Sequence, residues 1–315
     1  MLRRGPIGRI KGYYCDSAQW DDYVPREGDS VIATAPKVGT TWMQQIVSLL
    51  VFQSTAPHPL HQISPWLDCR LGDRVGAMLA LLEGQTHRRF IKSHLPLDGL
   101  PIHDEVKYIH VARDGRDACM SYLNHINAYT TGPWERLDAV AARDADLPSP
   151  TPRPPRDPRG FFRHWIASGG TAGAEQMGDG FFEIARSFWA ERARPNLLLV
   201  HFNDLKADLD GEMRRIADFL EIETPAGLWP ELVEAAGFEA MKRGGADLLP
   251  GADGSFEGGH DTFFNKGTNG RWRTDLTADD LALYHARVEA ELPPALARWL
   301  EHGRHLAGDP RAAVD

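Results

Sequence analysis

Lys37 stands in the run Thr34-Ala35-Pro36-Lys37-Val38-Gly39-Thr40-Thr41-Trp42, whose residue types suit the capture of an oxyanion. The short apolar run Ser30-Val31-Ile32-Ala33-Thr34 before it reads as a strand. After it, Trp42, Ile46 and Leu49, with Met43, Val47 and Leu50, recur at helical spacing as far as Phe52. A helix starting at Thr40 leaves its first backbone N–H groups unpaired and adds the positive end of its dipole. Gly39 lets the backbone approach an anion, Thr40 and Thr41 offer hydroxyls, and Lys37 brings a full charge. The lysine precedes the glycine, so this is not a GxxxxGK[ST] loop. Read alone, the same residues also make a plain strand–turn–helix bend.

Two further segments carry the chemistry of anion binding. In Val111-Ala112-Arg113-Asp114-Gly115-Arg116-Asp117 a strand ends near Arg113, and Ser121 follows on the next helix. An arginine fork and a helix hydroxyl can grip one phosphate jointly, although an arginine paired with Asp114 or Asp117 fits the same residues. Asn265-Lys266-Gly267-Thr268-Asn269-Gly270-Arg271-Trp272-Arg273 is a glycine-rich basic loop, or simply a turn. Lys92 and His94, in Ile91-Lys92-Ser93-His94-Leu95-Pro96, offer a cation and an imidazole that titrates near neutrality. With 13 histidines in the chain, that imidazole stands out only by its company.

Together these segments resemble the cytosolic sulfotransferase family, in the family's order and over about residues 26–299. The first run is similar to the family's 5′-phosphosulfate loop PK[ST]GTTW, with Val38 in place of a hydroxyl residue. Ile91 to Pro96 resembles K[ST]HLP, Arg113 and Ser121 match the 3′-phosphate segment, and Asn265 to Arg273 resembles RKGxxGDWK. In that last run Asn265 replaces arginine, Arg271 an acid and Arg273 a lysine, while Lys266 and Gly267 match. Phe238 and Met241 resemble the SFxxMK segment that packs around adenine, with Trp42 on the same base, although both also fit ordinary core. Ala236 replaces a threonine, and Phe202 an adenine-contacting tyrosine. The Ser64 to Asp68 and Arg88 to Pro101 segments look most like a bacterial branch with glycolipid acceptors.

The resemblance implies transfer of a sulfuryl group from 3′-phosphoadenosine-5′-phosphosulfate (PAPS) to a hydroxyl of a small or glycolipid acceptor, leaving 3′,5′-bisphosphoadenosine. His94 is then the general base, Lys37 neutralises the bridging oxygen, and Lys92 assists at the sulfuryl group. Lys37, Val38, Gly39, Thr40, Thr41, Trp42, Arg113, Ser121, Phe238, Met241, Asn265, Lys266 and Gly267 make the nucleotide site. No metal is required. The rivals are a nucleotide-dependent kinase on the same strand–loop–helix and a non-catalytic PAPS- or bisphosphate-binding protein.

The elements that must position these residues follow an α/β pattern. Strands are expected at Arg89-Phe90-Ile91-Lys92-Ser93, Val106 to Ala112 and Leu197 to Phe202, each followed by a turn or a helical pattern. That alternation predicts a single domain with a central parallel sheet flanked by helices; the resemblance makes it an architecture related to P-loop kinases. We divide the chain into an extension at 1–26, the sulfotransferase-like domain at 27–302 and a tail at 303–315. Seven prolines between Pro133 and Pro158 mark an insertion at about 132–160, expected to be a loop, either a surface excursion or a lid. A helix over Leu281 to Leu300 is interrupted at Pro293-Pro294, and the tail from Gly303 is expected to fray.

Composition bounds the rest. A net charge of −9 gives no broad attraction to nucleic acid or to anionic membrane, so an anionic ligand needs a local cluster of cations. Three scattered cysteines form neither a disulfide framework nor a zinc pattern. The most apolar run, Ile46 to Phe52, is too short to span a bilayer, and no secretory signal is visible, so the cytoplasm is expected. Loops near Ser64 to Asp68, the proline-rich insertion and Phe161 to Phe188 are candidates for choosing the acceptor. Their aromatics (Trp66, Trp134, Phe161, Phe162, Trp165, Phe181, Phe182) fit an apolar acceptor body or core equally. The family's dimer segment is not recognisable after Arg273, which leaves the oligomeric state open.

Overall fold

The computed structural model describes residues 1–71, 76–170 and 180–315. Four strands form its central sheet: β1 (Ser30–Ala33), β2 (Phe90–Ser93), β3 (Lys107–Ala112) and β4 (Leu197–His201), in the order β2-β1-β3-β4. All neighbours are parallel, with Val31 opposite both Ile91 and Tyr108, and Ile109 opposite Leu198. Every residue of β1 and β4 is buried, as a parallel sheet covered on both faces requires. The expected strands are all present, each within a residue or two of its sequence bounds.

Helix α1 (Thr40–Phe52) follows β1 and rests on β1 and β2 through Met43, Ile46, Val47, Leu49 and Leu50. Helix α2 (Gly115–Asn127) follows β3, capped by the Asp114 carboxylate, which accepts from the Arg116 backbone N–H. At the opposite end of the sheet, Asp29 and Arg89 precede β1 and β2. Arg89 Nε donates to Asp29 Oδ1 at 2.8 Å, and the Tyr23 hydroxyl donates to Oδ2 at 2.6 Å. This fully buried pair clamps the two strand starts together.

The proline-rich segment differs from its expected loop. Residues Thr131–Ala142 form α3 and Pro158–Ala167 form α4. Proline density misleads here because Pro133 falls in the first turn of α3 and Pro158 at the start of α4, where no intrahelical N–H bond is lost. The stretch between them is packed: Leu147 and Thr151 are buried, and Tyr13 donates its hydroxyl to the Pro148 carbonyl at 2.6 Å.

Both chain ends join the core. Leu2–Arg4 pairs antiparallel with Ile102–His103, and Tyr13, Tyr14, Cys15, Trp20 and Tyr23 are buried. The chain beyond Gly303 does not fray. Arg304–Ala307 is helical, and the Trp189 indole N–H donates to the Asp315 carboxylate at 2.9 Å. Pro293-Pro294 does separate two helices, Ala278–Glu291 and Pro294–His302. No helix among the described residues is long and apolar enough to cross a membrane.

Candidate active site

Ligands of open α/β sheets collect beyond the carboxyl ends of the strands, where the strand order reverses. In this sheet that crevice lies between β1 and β3. Lys37 follows β1, His94 follows β2, and Arg113 follows β3, and all three line one cavity of about 680 Å³. An Arg113 Nη1–H donates to the Lys37 carbonyl at 3.2 Å across the crevice.

The loop after β1 presents the open end of α1, whose N-cap is Gly39 at φ 121°. Pro36, Lys37, Gly39, Thr40, Thr41 and Trp42 line the cavity. Val38 does not: its side chain is fully buried in the hydrophobic core. A hydroxyl there would face apolar neighbours, so the departure from the family pattern is a packing choice. Lys37 itself has φ 66°, a left-handed backbone that non-glycine residues adopt at a cost. Thr34 and Thr40 join their hydroxyls at 2.5 Å, pinning the two ends of the loop.

His94 is 8% exposed and meets the edge of the Trp66 ring at 4.9 Å. A carbonyl oxygen only accepts, so the 2.7 Å contact with Thr34 puts the proton on Nδ1 and leaves Nε2 as the basic nitrogen. Burial, then the charge of Lys92, holds this imidazole down to about 3, against the Thr34 hydrogen bond. Lys92 lies over the Trp66 ring at 4.3 Å, its ammonium also lowered by burial. Burial, then Arg113 and Lys92, brings Lys37 down to about 7. Lys37 Nζ sits 4.5 Å over the Phe263 ring and 3.3 Å from His125 Nδ1.

On the other side of the crevice, Arg113 and Ser121 face the cavity with Asn265, Lys266, Gly267 and Thr268. Arg113 donates to the Thr268 carbonyl at 3.1 Å and to Asn269 Oδ1 at 2.7 Å, and stacks over Phe202 at 4.2 Å. Lys206 donates to the Gly267 carbonyl at 2.8 Å, and Asp117 accepts from the Gly270 N–H at 2.7 Å. The glycine-rich loop is thus tied to α2 and to the helix after β4. Gly267 has φ 61°, and a Cβ there would lie 2.8 Å from the Phe238 ring. Trp42 donates its indole N–H to the Ala236 carbonyl at 2.8 Å, so Trp42, Phe238 and Met241 form one apolar wall. Met241 is also core, packed with Leu60, Leu248 and Phe264.

A family model described as the sulfotransferase domain matches residues 27–296. A glycolipid sulfotransferase of Mycobacterium bovis is 32% identical over 306 residues, covering 92% of each chain. One of Mycobacterium tuberculosis is 33% identical over 310 residues, again with 92% of each chain covered. The chain belongs to the sulfotransferase family. Solved structures agree on the fold: a mouse sulfotransferase complexed with PAP superposes with a TM-score of 0.66 at 18% identity, covering 91% of this chain and 92% of that one. Retinol dehydratase with retinol and PAP gives 0.68 at 23% identity, covering 88% and 85%.

Some lining residues of this sulfotransferase carry no motif. Tyr14 reaches the cavity from the N-terminal segment, and Lys206 lines it while holding the Gly267 carbonyl; Asn269, outside the lining, holds Arg113. His125 had one sequence signal: it lies four residues after Ser121, on the same helical face. Of the acceptor candidates, Trp66 and Pro133 line the cavity, whereas Phe161, Phe162, Trp165, Phe181 and Phe182 are buried core. Within the Phe161 to Phe188 candidate, residues 171–179 lie outside the described residues.

Proposed function

We propose that this enzyme moves a sulfuryl group from PAPS to a hydroxyl of a small or glycolipid acceptor, with 3′,5′-bisphosphoadenosine as the second product. The observation that carries the reading is the convergence of Lys37, His94 and Arg113 from three adjacent parallel strands on one cavity. The residues present fit such a donor. The open N-terminus of α1 and Lys37 suit the phosphosulfate, Arg113, Ser121, Lys266 and Gly267 suit a 3′-phosphate, and Trp42, Phe238 and Met241 suit an adenine ring.

The acceptor hydroxyl gives its proton to His94 Nε2 as its oxygen bonds to sulfur. The bond from sulfur to the bridging oxygen breaks, and that electron pair stays on the 5′-phosphate. Catalysis here is chiefly positioning and charge stabilisation. Lys37 stabilises the departing oxygen, and Lys92 the sulfuryl oxygens. The mycobacterial relatives support a glycolipid acceptor, and the walls formed by Tyr14, Trp66, Leu71, Tyr129 and Phe256 suit an apolar body.

Labelled PAPS, offered with a panel of phenols, alcohols and glycolipids and no added divalent metal, tests the reading. Label should pass to at least one acceptor. Turnover of ATP with Mg²⁺ but not of PAPS would make the chain a kinase. Binding of bisphosphoadenosine without transfer to any acceptor would make it a binding protein.

A further inference from the structure

Helix α2 carries a polar side chain, His125, into the cavity, and the mechanism above does not use it. His125 lies among the rings of Tyr129, Phe256 and Phe263, with centroids 5.1, 4.8 and 5.8 Å away. Its Nδ1 is 3.3 Å from Lys37 Nζ. Burial, then the charges of Lys37, Lys92 and His94, keeps the ring neutral, so it carries a single proton. While Lys37 is charged, as its proposed role requires, its ammonium can only donate to Nδ1, which places the proton of the His125 ring on Nε2. Nε2 has no hydrogen-bond partner among the described residues, and the ring lines the cavity. Burial, with Tyr129 and Tyr122 beside it, raises the Tyr14 hydroxyl well above its ordinary value, so it stays protonated.

A lone N–H donor among aromatic walls loses its water when an acceptor fills the cavity. An acceptor whose only oxygen is the reacting one leaves that donor unpaired, whereas a second oxygen beside the reacting hydroxyl satisfies it. We infer that His125 is a specificity-determining residue whose Nε2–H binds an oxygen adjacent to the hydroxyl being sulfated, selecting polyhydroxylated, sugar-like acceptors over simple alcohols and phenols. This inference rests on the sulfuryl-transfer reading of the same site. Through Nδ1 the same ring holds Lys37, so the group that reads the acceptor also touches the group assigned to the leaving oxygen.

The test is a cycle in which the acceptor and the residue are changed separately. Octyl β-D-glucopyranoside and its monodeoxy analogues are compared as acceptors for wild type, His125→Phe and His125→Gln. In wild type, loss of one hydroxyl should lower kcat/KM by about tenfold or more, chiefly through KM, as a buried hydrogen bond between neutral groups predicts. That discrimination should vanish in His125→Phe and return in part in His125→Gln, whose amide supplies both a donor and an acceptor. Equal treatment of all analogues by wild type overturns the inference, and so does undiminished discrimination by His125→Phe. Wild type that binds bisphosphoadenosine but never sulfates the glucoside overturns the acceptor class. Absence of heat with bisphosphoadenosine in calorimetry would instead count against the sulfuryl-transfer reading itself.

Discussion

The imidazole of His94 donates its Nδ1–H to the carbonyl oxygen of Thr34 across 2.7 Å, so the proposed base is oriented by the residue that follows β1 and opens the Lys37 loop. Replacing His94 with Ala should lower transfer by about 10²- to 10⁴-fold, the usual worth of a general base. Binding of bisphosphoadenosine, followed by calorimetry, should change little, because the Thr34 carbonyl belongs to a buried strand end. A comparable loss in both measurements would show that His94 shapes the loop and does not serve as the base.

The pH profile should fall on its alkaline side. His94, held down to about 3, stays neutral across the physiological range and contributes no limb there. In its proposed role Lys37 must be charged to stabilise the leaving oxygen, and burial brings it down so that it loses its proton as pH rises through about 7. Below that value its contribution is complete. Above it, kcat/KM for PAPS should drop by about tenfold per pH unit. Lys37→Arg keeps the charge at any pH, so whatever activity that variant retains should lack this limb.

Arg113 holds the glycine-rich loop and faces the proposed 3′-phosphate site at once. Arg113→Ala should weaken bisphosphoadenosine by roughly tenfold or more, given the worth of a charge-assisted pair. Adenosine 5′-phosphosulfate, which lacks the 3′-phosphate, should lose far less. Equal losses by calorimetry would remove Arg113 from the 3′ site and leave it only as a loop anchor.

At the far end of the sheet, Arg89→Ala would strand the buried Asp29 carboxylate without its cation. Breaking one half of such a pair costs about 3–5 kcal/mol. The urea midpoint should fall accordingly. A shift within error would mean that water reaches Asp29 and replaces the guanidinium.

What the sequence discloses and conceals follows from the range of the forces involved. Helix α1 and the four strands are legible because each is an apolar run whose local period matches its buried surface, from Val31 and Ile32 to Leu199 and Val200. The loop between β1 and α1, the proposed phosphosulfate loop, is legible because its residues are contiguous. By contrast, α3 and α4 are hidden by the prolines in and between them, and Pro133 and Pro158 are harmless only because they fall in first turns. On sequence alone Val38 is a lost donor, and only the fold shows it filling the core beneath the loop. Contacts such as Asn269 with Arg113, or His125 with Lys37, join residues 156 and 88 positions apart and leave no local trace.

The left-handed backbone at Lys37 has a practical consequence for anyone hardening this protein against heat. A survey of positive-φ positions for glycine replacement would nominate Lys37, where relief of the side-chain clash is worth about 1–2 kcal/mol. Lys37→Gly should therefore melt higher than the parent, yet be inert. Catalysis and durability pull in opposite directions at this one peptide unit.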